Sequence, residues 1–131
     1  MIKDTVENWH AALKSRDPGR LDDLLAEEVT FHSPIVHTPQ VGKQLTTLYL
    51  SAAFFVLAND SFRYVRQVVG ERDAVLEFVV QVEGIIVNGV DMMTWGADGR
   101  ITDFKVMLRP LKAINLIHQK MAAALQDGAR A

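Results

Sequence analysis

With 131 residues, 14 basic and 16 acidic, the chain has room for one domain and too little positive charge to hold a nucleic acid by neutralising phosphates. Apolar residues make up 49%, more than a disordered tail carries, and the lack of cysteine excludes a disulfide framework, a thiolate nucleophile and a Cys-bound zinc. Met1-Ile2-Lys3-Asp4 runs into a charged helical segment with no apolar leader, and the most apolar stretch, 45–58, is broken by Thr46, Thr47 and Ser51. A cytoplasmic protein with no membrane partner is expected.

Ile2, Val6, Trp9 and Leu13 fall on one face of an amphipathic helix that stops at Ser15-Arg16-Asp17-Pro18-Gly19. Asp17 suits the N-cap and Pro18 the first position of a second, short helix carrying Leu21, Leu24 and Leu25 and ending by Glu27-Glu28. Val29 to Ser33 alternates and is closed by Pro34, which predicts a strand, followed by a loop from Ile35 to Gln40. Gly42 opens a long helix, Lys43 to Ala58, apolar on most of its circumference and so expected to be largely buried.

After the Asn59-Asp60 turn the period changes to two residues. Phe62, Tyr64 and Val68 alternate with Arg63, Val65 and Gln67, and Ala74 to Glu83 places Leu76, Phe78, Val80 and Val82 on one face. A further strand from Ile85 to Trp95 is expected to bulge near Asn88-Gly89. Ala97-Asp98-Gly99-Arg100 makes a hairpin turn into a last strand, Ile101 to Leu108. Past Pro110, a final helix carries Leu111, Ile114, Ile117, Met121 and Leu125. Segregated helices and a strand meander mean one α+β domain over residues 1–131, with the sheet curling over the long helix.

Four features, in this order, carry a family likeness. Trp9 on the first helix precedes Asp17, which opens the second; Glu28 to Pro34 forms a strand closed by proline; Gly42 opens the third helix; and Asp91 to Ile101 pairs the last strands round a Gly-Arg-Ile turn. Together they resemble the nuclear-transport-factor-2-like superfamily, in its SnoaL-like and ketosteroid-isomerase-like branches, over about Ile2 to Leu108. The resemblance implies a cone-shaped barrel: a curved antiparallel sheet wrapped round the long helix over a deep pocket, with the C-terminal helix as an addition. It also implies homodimers. That superfamily hosts isomerases, cyclases, dehydratases, hydrolases and plain binding proteins, so the pocket residues must decide the function.

Asp91 is the leading candidate. By alternation it shares a strand face with Met93 and Trp95, and a carboxyl in so apolar a wall is desolvated, which suits it to acid/base work near neutrality. The resemblance implies the same: ketosteroid isomerases hold a protonated aspartic acid at the matching position, donating to the substrate oxyanion. The alternatives for Asp91 are a cap on a bend near Asn88-Gly89 or a place at the solvent rim. Trp9 falls where the resemblance implies a second oxyanion donor; an indole N–H can donate but cannot relay a proton, and a core anchor is the plainer role.

Ser33 is the departure, standing before Pro34 where the resemblance implies the isomerase's acidic base. His37, in the loop near the expected pocket mouth, is the other candidate for acid/base work, since imidazole titrates near neutrality. His32 is expected to face away from the pocket, and His10 and His118 to face solvent. No His/Asp/Glu set has metal-ligand spacing, and the chemistry needs no cofactor.

Parity adds Phe31, Leu76, Phe78, Val80, Phe104, Val106 and Leu108 to the inner wall, with Tyr49, Phe54 and Phe55 from the long helix, and puts Asp103 and Lys105 outside. The expected site is then Asp91 and His37 as catalytic groups, with Trp9, Phe31, Ser33, Tyr49, Phe54, Phe78, Met93, Trp95, Phe104 and Val106 round the substrate. Such a lining suits a small hydrophobic carbonyl compound. Two functions remain open: acid/base isomerisation, cyclisation, dehydration or hydrolysis, and ligand binding without turnover. A third possibility is structural association, in which the outer sheet face at Val75 and Val79 or the C-terminal helix serves chiefly to build an oligomer, with a homodimer expected.

Overall fold

The computed structural model describes residues 4–130, with side chains described for 4–127. Ile2, the first member of the helix stripe, lies outside the described residues. Helix α1 spans Thr5–Ser15, capped by the Asp4 carboxylate, which accepts from the Glu7 backbone N–H, and it buries Val6, Trp9 and Ala12. A 3-10 turn at Pro18–Arg20 follows, with the Asp17 side chain accepting from the Gly19 N–H.

Leu21, Leu24 and Leu25 do not share one helix. Helix α2 stops at Leu24, and Leu25 begins strand β1, Leu25–His32, in register with Ile101. Pairing with the sheet outweighs the local helical spacing of the leucines. A two-residue strand β2, Gln40–Val41, returns antiparallel against Thr30 and Phe31.

Helix α3, Lys43–Leu57, is only half buried. Leu50, Phe54 and Leu57 point into the core, whereas Leu48 faces out and Phe55 is 84% exposed. Phe55 therefore leaves the inner wall where parity with Phe54 had put it. Consecutive helical residues lie about 100° apart, and the two phenylalanines cannot face one way.

Strands β3 (Arg63–Val69), β4 (Asp73–Val82), β5 (Ile85–Trp95) and β6 (Ile101–Arg109) make the meander. The six-stranded sheet has the order β2-β1-β6-β5-β4-β3. The expected α+β architecture stands, with two differences. The sheet is mixed, since β1 runs parallel to β6, and it is open, with β2 and β3 as edges. A parallel neighbour needs a long crossover, which α3 and the four intervening strands provide.

Register corrects the parity of β3. A bulge between Tyr64 and Arg66 leaves Val65 unpaired and shifts the alternation by one, so Val68 sits opposite Val75 on the outer face and is 60% exposed. The bulge expected at Asn88-Gly89 is absent, because the β4–β5 ladder runs unbroken through both residues. Gly89 serves packing instead. A Cβ there would collide with the Phe78 ring and with Leu108 Cδ2, the cross-strand neighbours on either side. Replacing Gly89 with alanine is expected to lower stability by about 1–3 kcal/mol, the usual cost of overpacking. Urea titration of the variant, alone and combined with Phe78→Leu, checks this; the double variant should recover part of the loss.

Two apolar clusters fill the concave side. Trp9, Leu25, Phe31, Leu50, Phe54, Leu76, Met93 and Phe104 belong to the first. The second joins Phe78, Val80 and Val87 to Ala113 and Ile117 of helix α4, Leu111–Arg130, which packs on α3 and on the ends of β5 and β6.

Candidate functional site

Three cross-strand rows form the floor of the site. Ala74, Met93 and Phe104 make one, continuing to Phe31; Leu76, Asp91 and Val106 make the next; Phe78, Gly89 and Leu108 make the third. Asp91 thus stands mid-sheet with apolar neighbours on every side. Above it lies a cavity of about 210 Å³, walled by α3 through Tyr49, Ala53 and Phe54, by α4 through Ile117, Met121 and Leu125, and by the 33–36 loop.

Asp91 is 6% exposed. The Tyr64 hydroxyl donates to its Oδ2 at 2.5 Å, and the Trp9 Nε1–H donates in turn to the Tyr64 oxygen at 2.8 Å. Asp91 caps no bend and lies at no rim, so both of its alternative roles fall away. Burial pushes its carboxyl up to about 7, while the bond from Tyr64 pulls the other way. Burial and the nearby Asp91 charge raise the Tyr64 hydroxyl well above its ordinary range, so it remains protonated. The Trp9 indole is fixed by rings, 4.8 Å from Phe104 and 5.6 Å from Phe54.

The cavity brings together Trp9, Phe31, Ser33, Tyr49, Phe54, Phe78, Asp91, Phe104 and Val106 from the expected set. Three residues lie elsewhere. Met93 is 1% exposed, packed within the core beneath the cavity. Trp95, past the irregularity at Thr94/Trp95, borders a separate depression beside Asp4 and Thr5. His37 is exposed, in a separate groove with His32 and Lys105 outside the Asp91 cavity. Ser33 Oγ accepts from the Ile35 and Val36 N–H groups, which shapes the loop at the cavity mouth. His32 turns outward and meets Asp103 at 2.8 Å. His118 is exposed as expected yet also borders the cavity.

Tyr64 was not among the expected site residues, because its partners lie 55 and 27 positions away and no local pattern marks it. The α4 wall was also unforeseen. Its stripe of Ile117, Met121 and Leu125 reads equally well as plain packing. Among the described residues no cluster of three or more His, Asp or Glu could hold a metal ion, and no helix is long and apolar enough to cross a membrane.

Residues 6–104 match the family model of the SnoaL-like domain. The chain belongs to the SnoaL-like family. A steroid delta-isomerase from Pseudomonas aeruginosa is 33% identical to this SnoaL-like chain, covering 97% of it and 93% of the isomerase, with a TM-score of 0.90. An uncharacterised protein with a cystatin-like fold from Silicibacter pomeroyi is 29% identical over 97% of this chain and 89% of its own, with a TM-score of 0.89. An NTF2-like protein of unknown function from Mesorhizobium loti, 20% identical over 82% of this chain and 89% of its own with a TM-score of 0.71, shares the fold. No curated protein matches the SnoaL-like chain.

Proposed function

We propose that this SnoaL-like chain is an acid/base enzyme for a small hydrophobic carbonyl compound, with Asp91 as the group that holds and transfers the proton. One observation carries this: a desolvated carboxyl, pushed up to about 7, that borders an apolar cavity. In its acid form Asp91 donates to the carbonyl oxygen and stabilises the charge that develops there. Phe31, Tyr49, Phe54, Phe78, Phe104 and Val106 hold the apolar body of the ligand. The 33% identical steroid delta-isomerase supports carbonyl isomerisation, and because Ser33 supplies no second base, Asp91 serves twice. It gives its proton to the carbonyl oxygen, and its carboxylate takes the α-proton to leave a dienol. The acid so formed protonates the γ-carbon, after which the hydroxyl proton returns to Asp91 as the carbonyl reforms.

The test is turnover of a β,γ-unsaturated cyclic ketone, followed by the ultraviolet absorbance of the conjugated product. Activity that falls as pH rises through about 7, and drops by about 10²–10⁴-fold in Asp91→Asn, supports the proposal. A ketone that binds and is released unchanged by the wild-type chain would replace it with non-catalytic binding, the reading that Ser33 favours. The outer sheet face supports a homodimer: Val68, Val75, Ile86 and Met107 are all exposed on it. The cysteine-free sequence suits a reducing compartment, and we place the protein in the cytoplasm.

A further inference from the structure

We infer that Tyr64 is a positioning residue: locked by Trp9, it aims its single proton at Asp91 Oδ2 and thereby reserves Oδ1 as the oxygen that meets the ligand. This role rests on Asp91 being the acid/base group of the cavity, and it adds a direction to the proton that Asp91 carries.

The direction follows from counting protons along the chain of bonds. Indole Nε1 has a proton and no lone pair to offer, so Trp9 can only donate, and the Tyr64 oxygen must accept it at 2.8 Å. Tyr64 has one proton of its own and one remaining partner, Asp91 Oδ2 at 2.5 Å. The reverse polarity, with Oδ2 donating to Tyr64, would bring two donors to one phenol oxygen and leave the Tyr64 proton without an acceptor. Oδ2 is therefore an acceptor in both charge states of Asp91, and the proton of the acid form sits on Oδ1. Among the described residues Oδ1 has no hydrogen-bond partner, it is not one of the sealed polar atoms, and Asp91 borders the cavity.

Two consequences concern the ligand. Trp9 Nε1 is spent on Tyr64 and gives the ligand no hydrogen bond, so the cavity floor offers one proton, from Asp91. No lysine or arginine lines the cavity. Of the lining residues only His118, exposed on α4, could carry positive charge, so the floor round Asp91 offers a carboxylate no countercharge, whereas a neutral ligand with one acceptor oxygen is matched.

The experiment uses the full chain labelled at the aspartate carboxyl carbons with 13C, and acetophenone labelled at its carbonyl carbon as the probe. The Asp91 signal is the one missing from Asp91→Asn. In Tyr64→Phe, which removes one oxygen, the Asp91 midpoint should rise by about one pH unit, because a bond to the charged form is lost. In the same variant, below the midpoint, the downfield displacement of the bound acetophenone carbonyl should shrink, since the proton is no longer confined to Oδ1. Trp9→Phe should also weaken that displacement, by freeing Tyr64 to accept from Oδ2. If Tyr64→Phe and Trp9→Phe both keep the wild-type midpoint and carbonyl displacement, Tyr64 is not a positioning residue. An acetophenone carbonyl undisplaced in the wild-type chain would instead overturn the acid/base role of Asp91 itself, and the Tyr64 role with it.

Discussion

Replacing Asp91 with asparagine is expected to stabilise the folded chain at about pH 8 while removing the proposed chemistry. An aspartate in the unfolded chain titrates near 3.9, whereas burial holds this one at about 7 in the fold. Between these values the folded chain keeps a proton that the unfolded chain has released. The Asp91 contribution to stability is therefore greatest below about pH 4, falls as pH rises towards about 7, and changes by up to about 4 kcal/mol on the way. Asparagine carries no charge, and its carbonyl still accepts the Tyr64 bond, so the variant should lack this part of the decline. At about pH 8 the expected gain is about 2–4 kcal/mol, a rise on the order of 10 °C in Tm. Thermal unfolding followed by circular dichroism at about pH 4 and pH 8 checks it. A variant that tracks the wild type at both values would mean that Asp91 is solvated or paired in the fold. A group that costs stability in its ionised form yet stands mid-sheet is a strain that function would explain.

The second large effect is expected at Phe104. Its ring is 1% exposed and lies 4.8 Å from Trp9 and 6.2 Å from Phe31, so it props the indole from beneath while lining the cavity. Phe104→Ala should cost about 3–5 kcal/mol, the transfer term for the ring plus the void it leaves. It should also loosen Trp9 and with it the bond to Tyr64. Because the void would adjoin an apolar cavity, added benzene should occupy it and return part of the lost stability. Equilibrium unfolding with and without benzene measures both effects. A loss under about 1 kcal/mol would show that neighbouring side chains close the gap unaided.

Much of this architecture was legible in the residues. The Val6, Trp9 and Leu13 spacing placed α1, and alternation through Leu76, Phe78 and Val80 and through Asp91 and Met93 placed the inner faces of β4 and β5. Where reading failed, a long-range contact had decided. Leu25 joins the sheet because Ile101 pairs with it, a partner no local window contains. Val68 faces outward because a bulge at Tyr64/Arg66 resets the alternation, and nothing in Arg63-Tyr64-Val65-Arg66 announces one. On α3 apolar residues cover most of the circumference, so periodicity could not show that Phe55 points away from the core.

The site divides in the same way. Asp91 stood out as a lone carboxyl in an apolar strand, a contrast visible in sequence. Tyr64 did not, because a tyrosine among strand hydrophobics is ordinary and its meaning lies in Trp9 and Asp91 reaching it from α1 and β5. Ser33 kept its place at the cavity mouth, but its hydroxyl oxygen is taken up by the turn at Ile35 and Val36.

The measurement that bears most directly on the central claim is the titration of the Asp91 carboxyl carbon by 13C NMR in the unmodified sequence. A midpoint at about 7 is predicted, well above the value of about 3.9 usual for an aspartate in an unfolded chain. A midpoint below about 5, within the range of ordinary aspartates, would contradict it and leave the cavity without a group able to carry a proton near neutral pH.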